Sequence, residues 1–245
     1  MSVYACGDLH GYIEIYNKIK KILKPEDKII FVGDAGDRGP QSWECIKAIY
    51  NDPQFIYLKG NHEDILVDAC NDYLAYEGRM TQNYYLCVRN GGSKTIDDWK
   101  NESEKEKWVN HLKNLPTIFS YSSNGRTFIL SHAGFTPWLD ENNLTYKLPE
   151  EQELLWNREH YFEDWNEKEM QDVIIVHGHT PNHHLAMDLR QDWESGAFWY
   201  SNNHKVCIDS GGFFSGKWTM LNLDTLEEII ITLDERKEYE ENENN

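Results

Sequence analysis

The chain has 245 residues, is 40% hydrophobic and 13% aromatic, and carries 42 Asp and Glu against 24 Lys and Arg, a formal net charge of −18. That length and apolar content suffice for one large α/β domain with a buried core. The negative charge argues against a nucleic-acid-binding surface and against electrostatic attachment to anionic membranes, but it leaves an anionic substrate open, because bound metal ions reverse the local charge.

No stretch is long and apolar enough to span a membrane. The opening residues, MSVYACGDLHG, enter a strand-like run with neither a basic n-region nor an apolar h-region, so no signal peptide is expected. The cysteines Cys6, Cys45, Cys70, Cys87 and Cys207 are scattered and lack CxxC spacing. They read as reduced core thiols of a cytoplasmic protein, and the spacing excludes a zinc ribbon.

In chain order, Val3–Cys6 reads as a strand. Tyr12–Leu23 follows with helical spacing of Ile15, Ile19, Ile22 and Leu23. Lys28–Val32 and Phe55–Leu58 are further strands, with a helix over Ser42–Tyr50 between them and another from about Glu63 to Tyr76. This alternation predicts βαβ units and a parallel sheet. Tyr84 to Leu115 reads as helical. Thr117–Tyr121 and Thr127–Leu130 read as a hairpin around Ser123-Asn124-Gly125. Asp140 to Asp172 is irregular with short helical pieces, and Val173–Val176 is an apolar strand. Lys205–Ile208, Lys217–Leu223 and Glu228–Thr232 suggest an antiparallel meander turning at Ser210-Gly211-Gly212 and Asp224-Thr225. The last residues, 234–245, are acidic and aperiodic and are expected to be a disordered tail behind a single domain of residues 1–233.

Chemistry collects at the ends of the strand-like runs. Cys6 leads into Gly7-Asp8-Leu9-His10-Gly11, and Val32 into Gly33-Asp34-Ala35-Gly36-Asp37-Arg38-Gly39. Lys59 leads into Gly60-Asn61-His62-Glu63, Leu130 into Ser131-His132-Ala133-Gly134, and His177 into Gly178-His179-Thr180. Any one of these is an ordinary Gly/Asp turn. Five together place Asp, His and Asn where open α/β folds bind ligands, with glycine allowing sharp turns and close approach. A mixed oxygen and nitrogen set without Cys suits Mn²⁺, Fe or Zn²⁺ and is unlike an all-oxygen Ca²⁺ site. It is large enough for two ions about 3.5–4 Å apart, a recurring device for phosphoester cleavage.

The ordered set GDLHG, GDAGDRG, GNHE, SHAG and GHT resembles the calcineurin-like metallophosphoesterases, and within them the phosphoprotein phosphatases of phage and bacterial type. Asn90-Gly91-Gly92, Trp156-Asn157-Arg158-Glu159 and Ile208-Asp209-Ser210-Gly211 add to the likeness. The resemblance implies an α/β/β/α sandwich of two mixed β-sheets flanked by helices. It implies two divalent metal ions, Mn²⁺ first and Fe or Zn²⁺ as alternatives. Asp8 and His10 would bind the first metal, Asp34 would bridge, and Asn61, His132 and His179 would bind the second. His62 would be the general acid, oriented by Asp37. Arg38 and Arg158 would grip the phosphoryl oxygens, with Asn61 beside them. A hydroxide held by the two metals would attack phosphorus in line.

Each residue also has a plainer reading. Asp37 suits an N-cap, Arg158 a surface Arg–Glu pair, and Glu63 a carboxylate favoured at a helix N-terminus. His177 is expected to pack in or below the site, and His183 and His184, after the GHT loop, to lie on a solvated loop, with the substrate cleft as the alternative. Ala35-Gly36 is less bulky than the family's usual pair, and Lys59 replaces an Arg of eukaryotic relatives. The expected activity is hydrolysis of phosphate monoesters, with phosphoserine or phosphothreonine in proteins as substrate. The alternatives are a dinucleoside polyphosphate (diadenosine tetraphosphate) hydrolase and a non-catalytic metal-bound binding module.

Overall fold

The computed structural model describes residues 1–140, 145–147, 149–163 and 170–233. The acidic segment 234–245 and part of the irregular Asp140–Asp172 stretch lie outside them.

The chain starts as expected. Strands β1 (Val3–Cys6), β2 (Lys28–Phe31) and β3 (Phe55–Tyr57) pair in parallel, β1 with β2 and β2 with β3. Helices α1 (Ile13–Ile22) and α2 (Ser42–Asn51) make the crossovers. Their apolar stripes, Ile15 and Ile19 on one and Trp43, Ile46 and Ile49 on the other, are buried on the outer face of this sheet. Helix α3 (Asn61–Ala75) starts two residues earlier than expected. The Glu63 carboxylate explains this by accepting the Gly60 N–H at 2.8 Å and so capping the first turn. Three short helices follow, α4 (Gln82–Arg89), α5 (Ser93–Lys100) and α6 (Lys105–Lys113).

The hairpin is formed by β4 (Ile118–Ser123) and β5 (Arg126–Ser131) around Asn124 and Gly125, both at positive φ. A ribbon of β6 (Trp138–Asp140) and β7 (Thr145–Lys147), helix α7 (Glu151–Trp156) and a 3-10 turn at Glu159–Phe162 lead to β8 (Val173–His177). Then come α8 (Asn182–Leu189), β9 (Phe198–Tyr200), β10 (Lys205–Cys207), the single turn α9 (Gly212–Ser215), β11 (Lys217–Asn222) and β12 (Glu228–Thr232).

Among the described residues these strands make two mixed five-stranded sheets, ordered β12-β11-β1-β2-β3 and β4-β5-β8-β10-β9. Val3, Ala5, Ile30, Val32 and Leu221 from the first sheet meet Phe128, Leu130, Val176 and Val206 from the second in one buried cluster between the sheets. Helices cover both outer faces, so the layers run α/β/β/α, as the family resemblance implies. The C-terminal ends of the parallel strands β1, β2, β5, β8 and β10 open on one edge of the sandwich, and there the motif loops meet.

Two local expectations are corrected. The three C-terminal strands do not form one meander. Strand β10 pairs in parallel with β8 in the second sheet, whereas β11 pairs antiparallel with β1 and β12 in the first. Ser210-Gly211-Gly212 therefore carries the chain across the sandwich. Val206 and Leu221 face the same inter-sheet core, so their alternation pattern is identical whichever sheet each joins. His183 and His184 lie on helix α8, not on a loop; Leu185 and Ala186 anchor that helix against Tyr161, Phe198 and Tyr200.

Candidate active site

Short apolar strands end abruptly at this edge, and the backbone bends back through unusual conformations. Asp8, His10, Asp34, Asp37, Arg38 and His179 all lie at positive φ, between 46° and 71°. Side chains with a Cβ rarely adopt this region, and such strain concentrates at functional sites. The loops brace one another: Asp8 N–H donates to Gly33 O at 3.0 Å, His10 N–H to Asp34 O at 3.0 Å, and Gly11 N–H to Ala35 O at 2.7 Å. Glycine is required where carboxylates crowd the backbone. A Cβ on Gly60 would stand 2.2 Å from Asp34 Oδ1, and one on Gly178 would stand 2.0 Å from Asp8 Oδ2.

Asp34 is the hub. His132 Nε2 lies 3.4 Å from its Oδ1, and His10 Nε2 and His62 Nε2 lie 3.7 and 3.8 Å from its Oδ2. Burial alone would raise the Asp34 pKa, but the three imidazoles hold it well below the usual carboxylate range. Asn61 Oδ1 is 2.8 Å from His132 Nε2 and 3.0 Å from His179 Nδ1, and the two imidazole nitrogens are 3.2 Å apart.

The donor chemistry fits a cation. His10 Nδ1–H donates to Gly36 O and His132 Nδ1–H to Val32 O, so each directs its Nε2 lone pair inward. Burial pushes the pKa of His10, His132 and His179 down, which favours the lone-pair form of each ring. With Nδ1–H committed to Val32 O, the His132 lone pair faces the Asn61 carbonyl oxygen, two acceptors that a cation between them would satisfy. Among the described residues, Asp8 Oδ2 and His179 Nε2 are buried without a hydrogen-bond partner. Two groups of potential ligands, His10/Asp34/His62 and Asp8/Asp34/His132, each keep their atoms within 4.8 Å of one another and share Asp34.

The remaining expected residues ring this set. His62 Nδ1–H donates to Asp37 Oδ2 at 2.7 Å, and the pair is 3% and 1% exposed. Burial would lower the His62 pKa, yet Asp34 and Asp37 raise it above its ordinary value. Arg38 donates to His10 Nε2 at 2.8 Å and to His62 Nε2 at 2.9 Å. Arg158 is exposed and stands next to the histidines through Thr180, whose hydroxyl accepts from its Nε at 3.0 Å.

Several residues at this edge were assigned no ligand or catalytic role from the sequence. The Thr95 hydroxyl donates to Asp37 Oδ1 at 2.6 Å, far along the chain and without a motif. Glu63 does more than favour a helix dipole: it also accepts Asp34 N–H, Ala35 N–H and the Tyr57 hydroxyl, and burial followed by Asp34 pushes its pKa up to about 7. Asp209 is buried close enough to Asp8 to raise that residue's pKa after burial itself, and burial pushes its own pKa up to about 6. Its signal was present, since Cys207-Ile208-Asp209-Ser210-Gly211 is a sixth strand end of the same form. His177 lies fully buried below the site and accepts the Tyr200 hydroxyl at 2.7 Å, with burial pushing its pKa down to about 3.

A four-layer sandwich with buried Asp, His and Asn converging at its strand ends defines a metallophosphoesterase. Residues 1–212 match the calcineurin-like phosphoesterase family, and the chain belongs to it. It is a hydrolase of a family that uses a dinuclear metal site. It is 27% identical to the bis(5'-nucleosyl)-tetraphosphatase PrpE of Anoxybacillus flavithermus, covering 92% of this chain and 91% of that protein. It is 25% identical to serine/threonine-protein phosphatase 1 of Salmonella typhimurium, covering 90% and 91%. Its fold superposes on a metallophosphoesterase from Sphaerobacter thermophilus with a TM-score of 0.57 at 14% identity, over 96% of this chain and 90% of that one.

Proposed function

We propose that this protein hydrolyses phosphate esters at two divalent ions held by Asp8, His10, Asp34, Asn61, His132 and His179, with Mn²⁺ as the physiological metal. The convergence of lone pairs on a shared Asp34, together with Asp8 Oδ2 and His179 Nε2, which have no partner among the described residues, carries this reading. Bound there, the ions neutralise phosphoryl charge and acidify a water to the nucleophile that in-line displacement needs.

The chain's own residues do the rest. Asp37 fixes the tautomer of His62, keeping Nδ1–H on the carboxylate side. His62 Nε2 is then the atom that delivers a proton to the leaving oxygen, and the Asp37 carboxylate on Nδ1–H favours its protonated form. Arg38, which donates to His62 and His10 at 2.8–2.9 Å, turns its fork to the phosphoryl oxygens when an ester binds. This frees His62 Nε2 for the proton. Arg158 and Asn61 supply further donors on the His179 side.

Two substrates suit this chemistry: phosphoserine or phosphothreonine in proteins, and dinucleoside polyphosphates, matching the names of the two kinds of relative. The Phe213 ring, 5.2 Å from the Arg38 guanidinium carbon, favours the second. The test is turnover by metal-stripped protein resupplied with Mn²⁺, on a phosphoserine peptide and on diadenosine tetraphosphate side by side. Absence of metal-dependent turnover on both would leave a binding module. Normal turnover by His62→Asn would overturn the acid assignment.

A further inference from the structure

The loop that crosses between the sheets brings aromatic side chains to the rim of the site. The Phe213 ring lies 5.2 Å from the Arg38 guanidinium carbon and 6.3 Å from the His10 ring. Phe214 follows with its ring centroid 4.0 Å from that of Phe213, and His183 on α8 is 6.1 Å further, edge-on to Phe214 at 84°. His184 adjoins His183 at 3.9 Å.

We propose that Phe213, Phe214 and His183 form a shelf that stacks the base of a nucleoside phosphate while Arg38 holds its phosphoryl group. This rests on the phosphoesterase reading above and names its substrate class.

The shelf is built into the site. Gly211, at φ 62°, lies so close to the start of α8 that a Cβ would stand 3.3 Å from Pro181 and 3.5 Å from His183. Gly212 packs against the Trp218 indole, and Trp218 Nε1–H donates to Asp8 O at 3.1 Å. The loop carrying the rings is therefore tied to the loop carrying Asp8. Yet Phe214 is 57% exposed and is not part of the core. Each base has a π-face, and an aromatic side chain accepts it without regard to sequence. Phe213 also packs against the Arg38 guanidinium in a cation–π contact.

The length of the shelf selects the ligand. A serine or threonine side chain offers no ring. A tyrosyl ring bonded directly to the phosphoryl oxygen would meet Phe213 and stop there. A base is held away from its 5'-phosphate by the ribose, so it passes Phe213 and reaches Phe214 and His183, whose imidazole nitrogen can hydrogen-bond a base edge.

The test compares wild type, Phe214→Ala, Phe214→Trp and His183→Ala, each supplied with Mn²⁺. Initial rates are taken on diadenosine tetraphosphate, a phosphoserine peptide and a phosphotyrosine peptide, and calorimetry measures binding of adenosine 5'-monophosphate and of inorganic phosphate. In Phe214→Ala the dinucleotide-to-phosphoserine ratio of kcat/KM should fall by roughly 5- to 150-fold, the ~1–3 kcal/mol of a stacked base converted at ~1.36 kcal/mol per decade. Phe214→Trp should retain the ratio, and His183→Ala should lower it. Nucleotide affinity should fall in Phe214→Ala relative to phosphate affinity. An unchanged ratio with unchanged nucleotide binding overturns the shelf, as does a loss confined to the phosphotyrosine peptide. If wild type turns over none of the three esters but its nucleotide affinity depends on Phe214, the phosphoesterase reading fails and the shelf stands.

Discussion

Replacing Asp37 by Asn isolates one charge in the proposed proton delivery. The Asp37–His62 contact is 2.7 Å long and almost wholly excluded from water. Asn keeps the shape: its carbonyl can accept His62 Nδ1–H, and its amide can donate to the Thr95 hydroxyl oxygen where Asp37 Oδ1 now accepts. What is lost is the negative charge that stabilises the protonated imidazole. A buried hydrogen bond to a charged group contributes about 1.5–3 kcal/mol, which at ~1.36 kcal/mol per decade lowers kcat by about 10- to 150-fold. The assay is kcat on two esters that differ in leaving group. A serine alkoxide leaves poorly and needs the proton, so the phosphoserine peptide should show the full loss. p-Nitrophenolate leaves without one, so p-nitrophenyl phosphate should lose far less. Combining Asp37→Asn with His62→Asn should add little to His62→Asn alone, because the two act as a unit. An equal loss on both esters would refute the reasoning, since it would place Asp37 in the structure of the loop and not in proton delivery.

Other perturbations test the scaffold. Gly60→Ala forces a Cβ to 2.2 Å from Asp34 Oδ1 and 2.6 Å from Asp34 N; it should weaken Mn²⁺ affinity measured by calorimetry and lower stability by about 1–3 kcal/mol in urea unfolding. Removing metal with a chelator should lower Tm, and free Mn²⁺ at a hundredfold its Kd should restore about 2.7 kcal/mol. Asp224 accepts the hydroxyls of Tyr121 and Ser123 at 2.6 Å each and Val3 N–H at 2.9 Å, linking the two sheets, so Asp224→Ala should cost about 1–3 kcal/mol. Burial opposes these bonds, but they hold the Asp224 pKa below its ordinary value. Its contribution is therefore present above the unfolded carboxylate pKa and is lost as pH falls through the folded one. The urea midpoint difference between wild type and Asp224→Ala should shrink below that pH. Lys205 is fully buried, and burial pushes its pKa down to about 8, below the unfolded value of ~10.4. Between these values the unfolded chain binds more protons, so this residue makes stability rise with pH; Lys205→Met should remove that slope from the urea midpoint.

The amino-acid sequence determined the strand ends. Each motif pairs a short apolar run with a glycine and a ligand-type side chain, and both features act within a few residues. The positive φ of Asp8, Asp34 and Asp37 is likewise a local property of those turns. The hairpin at Asn124-Gly125 and the start of the parallel sheet were legible for the same reason. What the tertiary structure decided lies at longer range. The alternation of β10 and β11 gave no sign of which sheet each would join, because both faces of the sandwich offer the same apolar interior. Thr95 reaches Asp37 because α5 packs against α2 and α3, and no spacing along the chain records that contact. Asp209 approaches Asp8, and Phe214 approaches His183, through a crossing between sheets that periodicity read as a simple turn. A turn is specified by the conformations that neighbouring residues permit, whereas the meeting of distant side chains is specified by how whole layers pack. For that reason the candidate ligand types were readable from the chain, and the rings that flank them were placed by the fold alone.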